Sequence, residues 1–239
     1  MNEDVLHGRA ERNEEFLCSL RLALEVAPVE ILTNGRRYIR NHLGVLKELH
    51  DRYPNRLTLR ITIESPVESE HDAIRGRTTF AQTVETVREL GEMGFVPVIT
   101  AERPLLHENS PEAIHLSYAA LFPGIRIEVT LIENMLEMGH QLVKLAAEGR
   151  KQTPEVFITT KCFGALSKSP ESLMCHFSRC IQKIDGQLRY YPCPVIYDDE
   201  RFDMGGTLEE SFRRVYIAHK NCYDYCMKGR GASCRTNTI

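Results

Sequence analysis

Apolar residues in the first 150 positions follow two periods in turn. Phe16, Leu20 and Leu24 lie at i, i+4 and i+8, which predicts a helix over residues 11–25. The apolar run at 29–33 follows Pro28 and is closed by Asn34-Gly35, the pattern of a strand ending in a turn. Ile39, Leu43, Leu46 and Leu49 then share one helical face, ended by Tyr53-Pro54-Asn55. Residues 57–64 switch to strict alternation, with Leu57, Leu59, Ile61 and Ile63 on one side and Thr58, Arg60, Thr62 and Glu64 on the other. Phe80, Val84, Val87 and Leu90 predict a further helix with Gly94 as its stop. A strand at 95–100, a helix at 111–121 and a strand at 125–132 complete the series. The order αβαβαβαβ with short links predicts an α/β fold, a parallel sheet with covering helices.

The alternation at 57–64 carries information of its own. A parallel strand buried on both faces is apolar throughout. This one is therefore either an edge strand with a wet face or a strand whose polar face lines the inside of a barrel. Barrel enzymes carry their functional groups at the C-terminal ends of strands. Thr33, Asn34, Thr62, Glu64, Thr100 and Glu102 all fall at such ends.

Seven of the eight cysteines lie between Cys162 and Cys234, the tightest groupings being Cys175/Cys180 and Cys222/Cys226. Thiols gathered in this way mean a metal site or a disulfide framework. The chain has 239 residues and is 42% hydrophobic, enough for a sizeable core without disulfide staples. Its first sixteen residues are charged and lack the apolar stretch of a signal peptide. No apolar run approaches the roughly 18 residues of a spanning helix. The expectation is a cytoplasmic, reducing setting in which clustered cysteines bind metal rather than one another. The net charge is −3, with acidic and basic residues interleaved, so neither a nucleic-acid footprint nor a membrane partner is expected. The basic residues between Arg213 and Arg235 are either a solvated face or compensation for the charge of a thiolate-ligated centre.

Several of these segments resemble the radical S-adenosylmethionine (radical SAM) enzymes. ILTNG at residues 31–35 is similar to the family's third-strand signature, and LRITIES at 59–65 to its fourth strand. HDAIRGRTTF at residues 71–80 resembles the family's HDxIRGxxxF, the most specific part of the match. The tail resembles the cysteine-rich extensions of the SPASM or twitch type. Taken over nearly the whole chain, the resemblance implies a partial (β/α)6 barrel lacking its first strand or strands over residues 1–160. A small cysteine-rich α+β extension, holding an auxiliary [4Fe-4S] cluster, follows over 161–239. It implies that Thr62 and Glu64 contact the ribose and carboxylate of S-adenosylmethionine, with Arg60 on the same face pairing with the carboxylate. The alternative for Arg60 and Glu64 is a mutual salt bridge. His71 and Arg75 are expected to fix a loop. Asn34 is either a cofactor contact or a turn residue.

In the tail, four thiolates are needed for a cluster. By resemblance these come from Cys180 and Cys193 flanking a hairpin with Gly186 at its turn, and from the close pair Cys222/Cys226. Cys175 and Cys234 are further candidates, and a site of four cysteines also suits structural zinc. His219 is a candidate ligand against a packed, hydrogen-bonded role, and Cys162 reads as a thiol at the end of a strand over 155–160.

The sequence departs from the family at its defining element. There is no CxxxCxxC, and the only cysteine before Cys162 is Cys18, alone on a helix. Gly8-Arg9-Ala10 stands where the family has GEP, losing the acid. The expectation is a C-terminal portion of such an enzyme, its first ~100 residues absent through a truncated gene, a wrong start codon or a split subunit, and in the last case a separate chain is the partner that supplies the N-terminal half. Its own catalytic residues are unassigned, and a peptide or protein substrate is implied by the type of extension. The alternatives are a non-catalytic iron–sulfur subunit and a structural zinc domain.

Overall fold

The computed structural model describes residues 15–102, 110–132, 158–194, 196 and 199–228. The described residues fall into two compact units, divided after Leu131.

The first unit alternates helix and strand as the pattern predicts: α1 (Phe16–Val26), β1 (Val29–Thr33), α2 (Arg37–Arg40), α3 (Leu43–Arg52), β2 (Leu57–Thr62), α4 (Glu68–Arg75), α5 (Thr79–Glu92), β3 (Val98–Glu102), α6 (Pro111–Ala119) and β4 (Glu128–Ile132). The predicted stripe from Ile39 to Leu49 is buried as expected but is split between α2 and α3 by a turn at Asn41-His42. Two turn bonds mark the break, from Asn41 N–H to Arg37 O and from His42 N–H to Ile39 O.

The four strands form one parallel sheet in the order β1-β2-β3-β4. Ile31 pairs with Leu59, and Ile61 with both Thr33 and Ile99. β2 is therefore interior to the sheet, and the edge-strand account of its alternation is excluded. The odd-numbered residues Ile31, Leu59, Ile61, Ile99, Ala101, Val129 and Leu131 join one apolar core with Leu20 and Leu24 of α1, Leu46 of α3, Leu90 of α5 and Ile114 of α6. The helices thus cover one face. The other face carries the even-numbered residues and is polar, yet Arg60, Thr100, Glu102 and Thr130 on it are buried.

Helix α5 stops as Gly94 predicts. Gly94 N–H donates to Gly91 O and Phe95 N–H to Leu90 O, the paired bonds of a Schellman cap, with Leu90 and Phe95 both buried beneath it. Asn34-Gly35 turns the chain after β1, and here glycine is obligatory. Its φ is +68°, and a Cβ would meet Ile61 Cγ2 at 2.9 Å and Thr83 Cγ2 at 3.1 Å.

The second unit is smaller in its elements: α7 (Thr160–Ala165), a 3₁₀ turn (Pro170–Ser172), α8 (Met174–Phe177), β5 (Cys180–Ile184), β6 (Gln187–Tyr191), a second 3₁₀ turn (Glu200–Phe202), α9 (Leu208–Ser211) and a π-helical segment (Cys222–Lys228). β5 and β6 form the expected antiparallel hairpin, Ile184 opposite Gln187. Its two-residue loop, Asp185-Gly186, has φ of +49° and +82°, as the primed turns of tight hairpins require. Cys162 lies on α7, not at a strand end, and residues 155–157 of the expected strand lie outside the described residues. Among the described residues, no helix is long and apolar enough to cross a membrane.

Two glycines give opposite expected outcomes in thermal or urea unfolding. Gly35→Ala destabilises by about 2 kcal/mol or more, because the turn conformation and the close approach both resist a Cβ. Gly44→Ala stabilises by about 0.5–1 kcal/mol, since Gly44 is helical and a Cβ there meets nothing within 4 Å.

Candidate functional site

The polar face is built row by row across the sheet. Thr62 and Thr100 are in register. The bond from Glu128 N–H to Pro97 O, 3.0 Å, sets Thr130 beside Thr100 in the same ladder. Three hydroxyls thus cross β2, β3 and β4 in one row, one residue pair short of the strand ends that carry Glu64 and Glu102. Thr100 Oγ1 is buried with no hydrogen-bond partner among the described residues. A buried hydroxyl without a partner costs about 1–3 kcal/mol.

Two of the charged residues of this face are paired within the unit. Arg60 Nη1 lies 3.2 Å from Glu30 Oε1 on the neighbouring strand. Glu64 is held by Arg75, whose Nε donates to Oε1 at 2.7 Å and whose Nη2 reaches the same oxygen. The mutual Arg60–Glu64 salt bridge does not form. Asn34 turns the chain instead of facing this row: its Oδ1 accepts from Arg36 N–H at 3.1 Å, and Thr33 Oγ1 accepts from Gly35 N–H at 3.2 Å.

The HDAIRGRTTF segment is a connector between β2 and α5, and its residues hold one another. His71 Nδ1 accepts the Glu64 N–H at 3.1 Å, which fixes the imidazole as the Nε2–H tautomer. Asp72 caps α5, accepting from Thr78 N–H at 2.6 Å, Phe80 N–H at 2.8 Å and Thr79 Oγ1 at 3.2 Å. The Phe80 amide, chiefly, holds the Asp72 carboxyl below its ordinary range. Arg75 grips Glu64, and Phe80 packs edge-on against His71 at 5.7 Å between ring centroids. His71 and Arg75 thus fix the loop, as expected. Tyr118, which periodicity does not single out as functional, donates its hydroxyl to Ile63 O at 2.9 Å and pins the end of β2 from α6. Burial, followed by the nearby Glu64 and Glu70, keeps that phenol protonated.

In the second unit, Cys175, Cys193, Cys222 and Cys226 line one small cavity of about 10 Å³, with Leu173 and Ile196. Cys193 and Cys222 are buried in an apolar cluster with Tyr191, Ile196 and Phe202. Burial, with Cys175 nearby, pushes the Cys222 thiol up to about 12. Cys180 is on β5, and burial of its thiol raises it to about 11 while Gln182 Nε2 donates to the sulfur at 3.7 Å. Among the described residues no disulfide joins these cysteines, and no three His, Cys, Asp or Glu side chains are drawn together to metal-ligand distance. Cys234 lies outside the described residues. His219 is hydrogen-bonded: its Nδ1 accepts from Asn221 N–H at 3.0 Å, and its Nε2 faces Asp199 Oδ2 at 3.9 Å. The donor set fits a soft metal centre in kind, four thiols around one apolar cavity.

Arg179, which no spacing rule flags, ties this region together. Its Nη1 donates to Cys175 O at 2.6 Å and to Ser178 O at 2.7 Å, and its Nε to Ser211 O at 3.0 Å.

The chain matches no protein-family model, and no curated protein matches it.

Burial, aided by Arg75, holds His71 at about 4 against an ordinary 6.5. The unfolded chain therefore binds the extra proton between those values. Stability is fully present above pH 6.5 and falls as pH drops toward 4, by up to about 3 kcal/mol from this group. Urea unfolding across pH 4–7 is expected to show that slope, and His71→Gln to remove one proton's share of it.

Proposed function

We propose that this chain is the C-terminal portion of a radical SAM-type enzyme. In this reading its sheet is part of a (β/α)6 barrel that forms one side of an S-adenosylmethionine site, and its tail holds an auxiliary cysteine-ligated [4Fe-4S] cluster. The observation that carries the reading is the pairing of a chain-ordered, one-sided parallel sheet with a buried polar face. Strands that follow one another across a sheet, with every helix on the same side, are the arrangement of a singly wound barrel. The four-thiol cavity of the second unit supports the cluster half of the reading.

The residues fit the cofactor unequally. Thr62 and Thr100 would hold its hydroxyls, and the buried Thr100 hydroxyl gains the partner it lacks. Arg60 would take its carboxylate in exchange for Glu30. Glu64, already gripped by Arg75, serves by fixing the end of β2, so the direct contact implied by resemblance would have to compete with that guanidinium. S-adenosylmethionine supplies bond-cleaving chemistry only when an electron reaches it. The auxiliary cluster would supply or relay electrons, or anchor a substrate. In that family a CxxxCxxC site activates the cofactor, and no such motif lies within these 239 residues.

A second reading rests on the size of the cysteine cavity. About 10 Å³ is the room of a single water molecule, nearer the space for one ion than for a cluster. A structural zinc site would need only four sulfurs closing to about 2.3 Å from the metal.

Anaerobic reconstitution with iron and sulfide, followed by iron, acid-labile sulfide and zinc analysis, separates the two. The cluster reading expects about four irons and four sulfides per chain, lost when Cys222 and Cys226 are both changed to Ala. About one zinc with no sulfide establishes the second reading instead. The reconstituted chain alone, given dithionite and S-adenosylmethionine, is expected to release no 5′-deoxyadenosine.

A further inference from the structure

Residues 214–218, between α9 and the π-helical segment, run without turn or bend to a lone β-bridge at His219. Their side chains alternate as a strand's do. Arg214 and Tyr216 are exposed, while Val215 and Ile217 line the apolar cavity beneath. The backbone, however, is in no ladder. Arg214, Val215, Tyr216 and Ile217 make no hydrogen bond to any described residue. We infer that residues 212–217 are a docking edge for an extended acidic peptide, which adds as a strand along 214–217 and sets its carboxylates against Arg213 and Arg214. The inference does not rest on the cofactor reading.

Three observations carry it. The first is the open backbone, since an unpaired strand anchored by its inward side chains offers its donors and acceptors to another chain. The second is what flanks it. Phe212 and Tyr216, at 72% and 79%, are the most exposed large apolar side chains among the described residues, and they bracket two exposed arginines. Aromatic and arginine side chains are the types that dominate protein interfaces.

The third is a groove of about 590 Å³ that Arg213 lines together with Arg189, Glu200, Asp203 and Glu210. Asp203 braces both guanidiniums: its Oδ2 accepts from Arg189 Nε at 2.7 Å, and its backbone O accepts from Arg213 Nη2. The Nη groups of Arg189 bond to no described residue, so they are held ready for a carboxylate. The Glu210 carboxylate is taken by the N–H groups of Gly206 and Thr207. Glu200 keeps an open carboxylate, which favours a peptide with spaced acids over a continuous polyanion. Basic and aromatic side chains in alternation also suit single-stranded nucleic acid. Only a peptide, however, returns N–H and C=O groups at the spacing of a strand.

The test is fluorescence anisotropy on the full chain. The probe is a fluorescein-labelled peptide of alternating Glu and Val residues. Its comparators are the Lys–Val counterpart, the Glu–Val peptide N-methylated along its backbone, and labelled oligo(dT). The Glu–Val peptide is expected to bind, less tightly as salt rises, and each comparator to bind about tenfold more weakly or worse. Arg213→Ala combined with Arg214→Ala should weaken the Glu–Val complex about tenfold. Tyr216→Ala should weaken it about fivefold or more, and Glu200→Gln should tighten it about twofold. These side chains are exposed, so the variants are expected to keep the parent's Tm, and lost binding then reports the edge itself. Equal binding of the Lys–Val or N-methylated peptide overturns the inference, as does tighter binding of oligo(dT). A folded parent chain that does not bind the Glu–Val peptide overturns it as well.

Discussion

The first unit depends on one constraint: four parallel strands follow the chain order while helices α1, α2, α3, α5 and α6 pack on a single face. Right-handed crossovers make this the outcome whenever each strand is laid down beside the previous one in the same direction. The odd-numbered residues of every strand then enter one apolar core. The even-numbered residues share the opposite face whether or not they are apolar. On β2 and β3 that face holds Arg60, Thr62, Glu64, Thr100 and Glu102, and most of them are buried. Polar groups in such a place are costly unless paired. The ion pairs Arg60–Glu30 and Arg75–Glu64 offset that cost for Arg60 and Glu64.

The connector between β2 and α5 converts this sheet into a defined site edge. Glu64 is tied through its carboxylate to Arg75 and through its amide to His71, two residues of the same short helix. A buried ion pair of this kind contributes little net stability, because desolvation opposes the attraction. What it fixes is geometry. With Asp72 capping α5 and Tyr118 holding Ile63 O, the last residues of β2 are anchored from α4, α5 and α6. Positions that must meet a ligand gain from support of this sort, since side chains fixed before binding lose less freedom on binding.

Much of the first unit is legible in the sequence because its periods are long and clean. The strand at 29–33 coincides with the apolar run that announces it, and Gly94 ends α5 as its position implies. The break between α2 and α3 is not legible, because Ile39 and Leu43 keep helical spacing across it. The Arg60–Glu64 pair fails for a metric reason: four residues along a strand span about 13 Å, whereas Glu30 on the neighbouring strand lies diagonally within reach. Tyr118 and Thr130 escape notice because their roles come from which strand lies beside them, and no local pattern records that. In the tail the thiols are obvious from spacing, but their grouping is not. Cys180 is placed on the hairpin ladder opposite Tyr191, and Cys175 on the short helix whose carbonyl Arg179 binds.

The tail also shows why thiols belong in its structure at all. Among the described residues its buried cluster has Cys193 and Cys222 beside Tyr191, Ile196 and Phe202, so sulfur makes up part of the core itself. Such thiols are protonated when buried, as the raised Cys222 illustrates. Arg179 holds the short helix beside this cluster through the carbonyls of Cys175, Ser178 and Ser211, so the order of that helix does not rest on its own four residues alone.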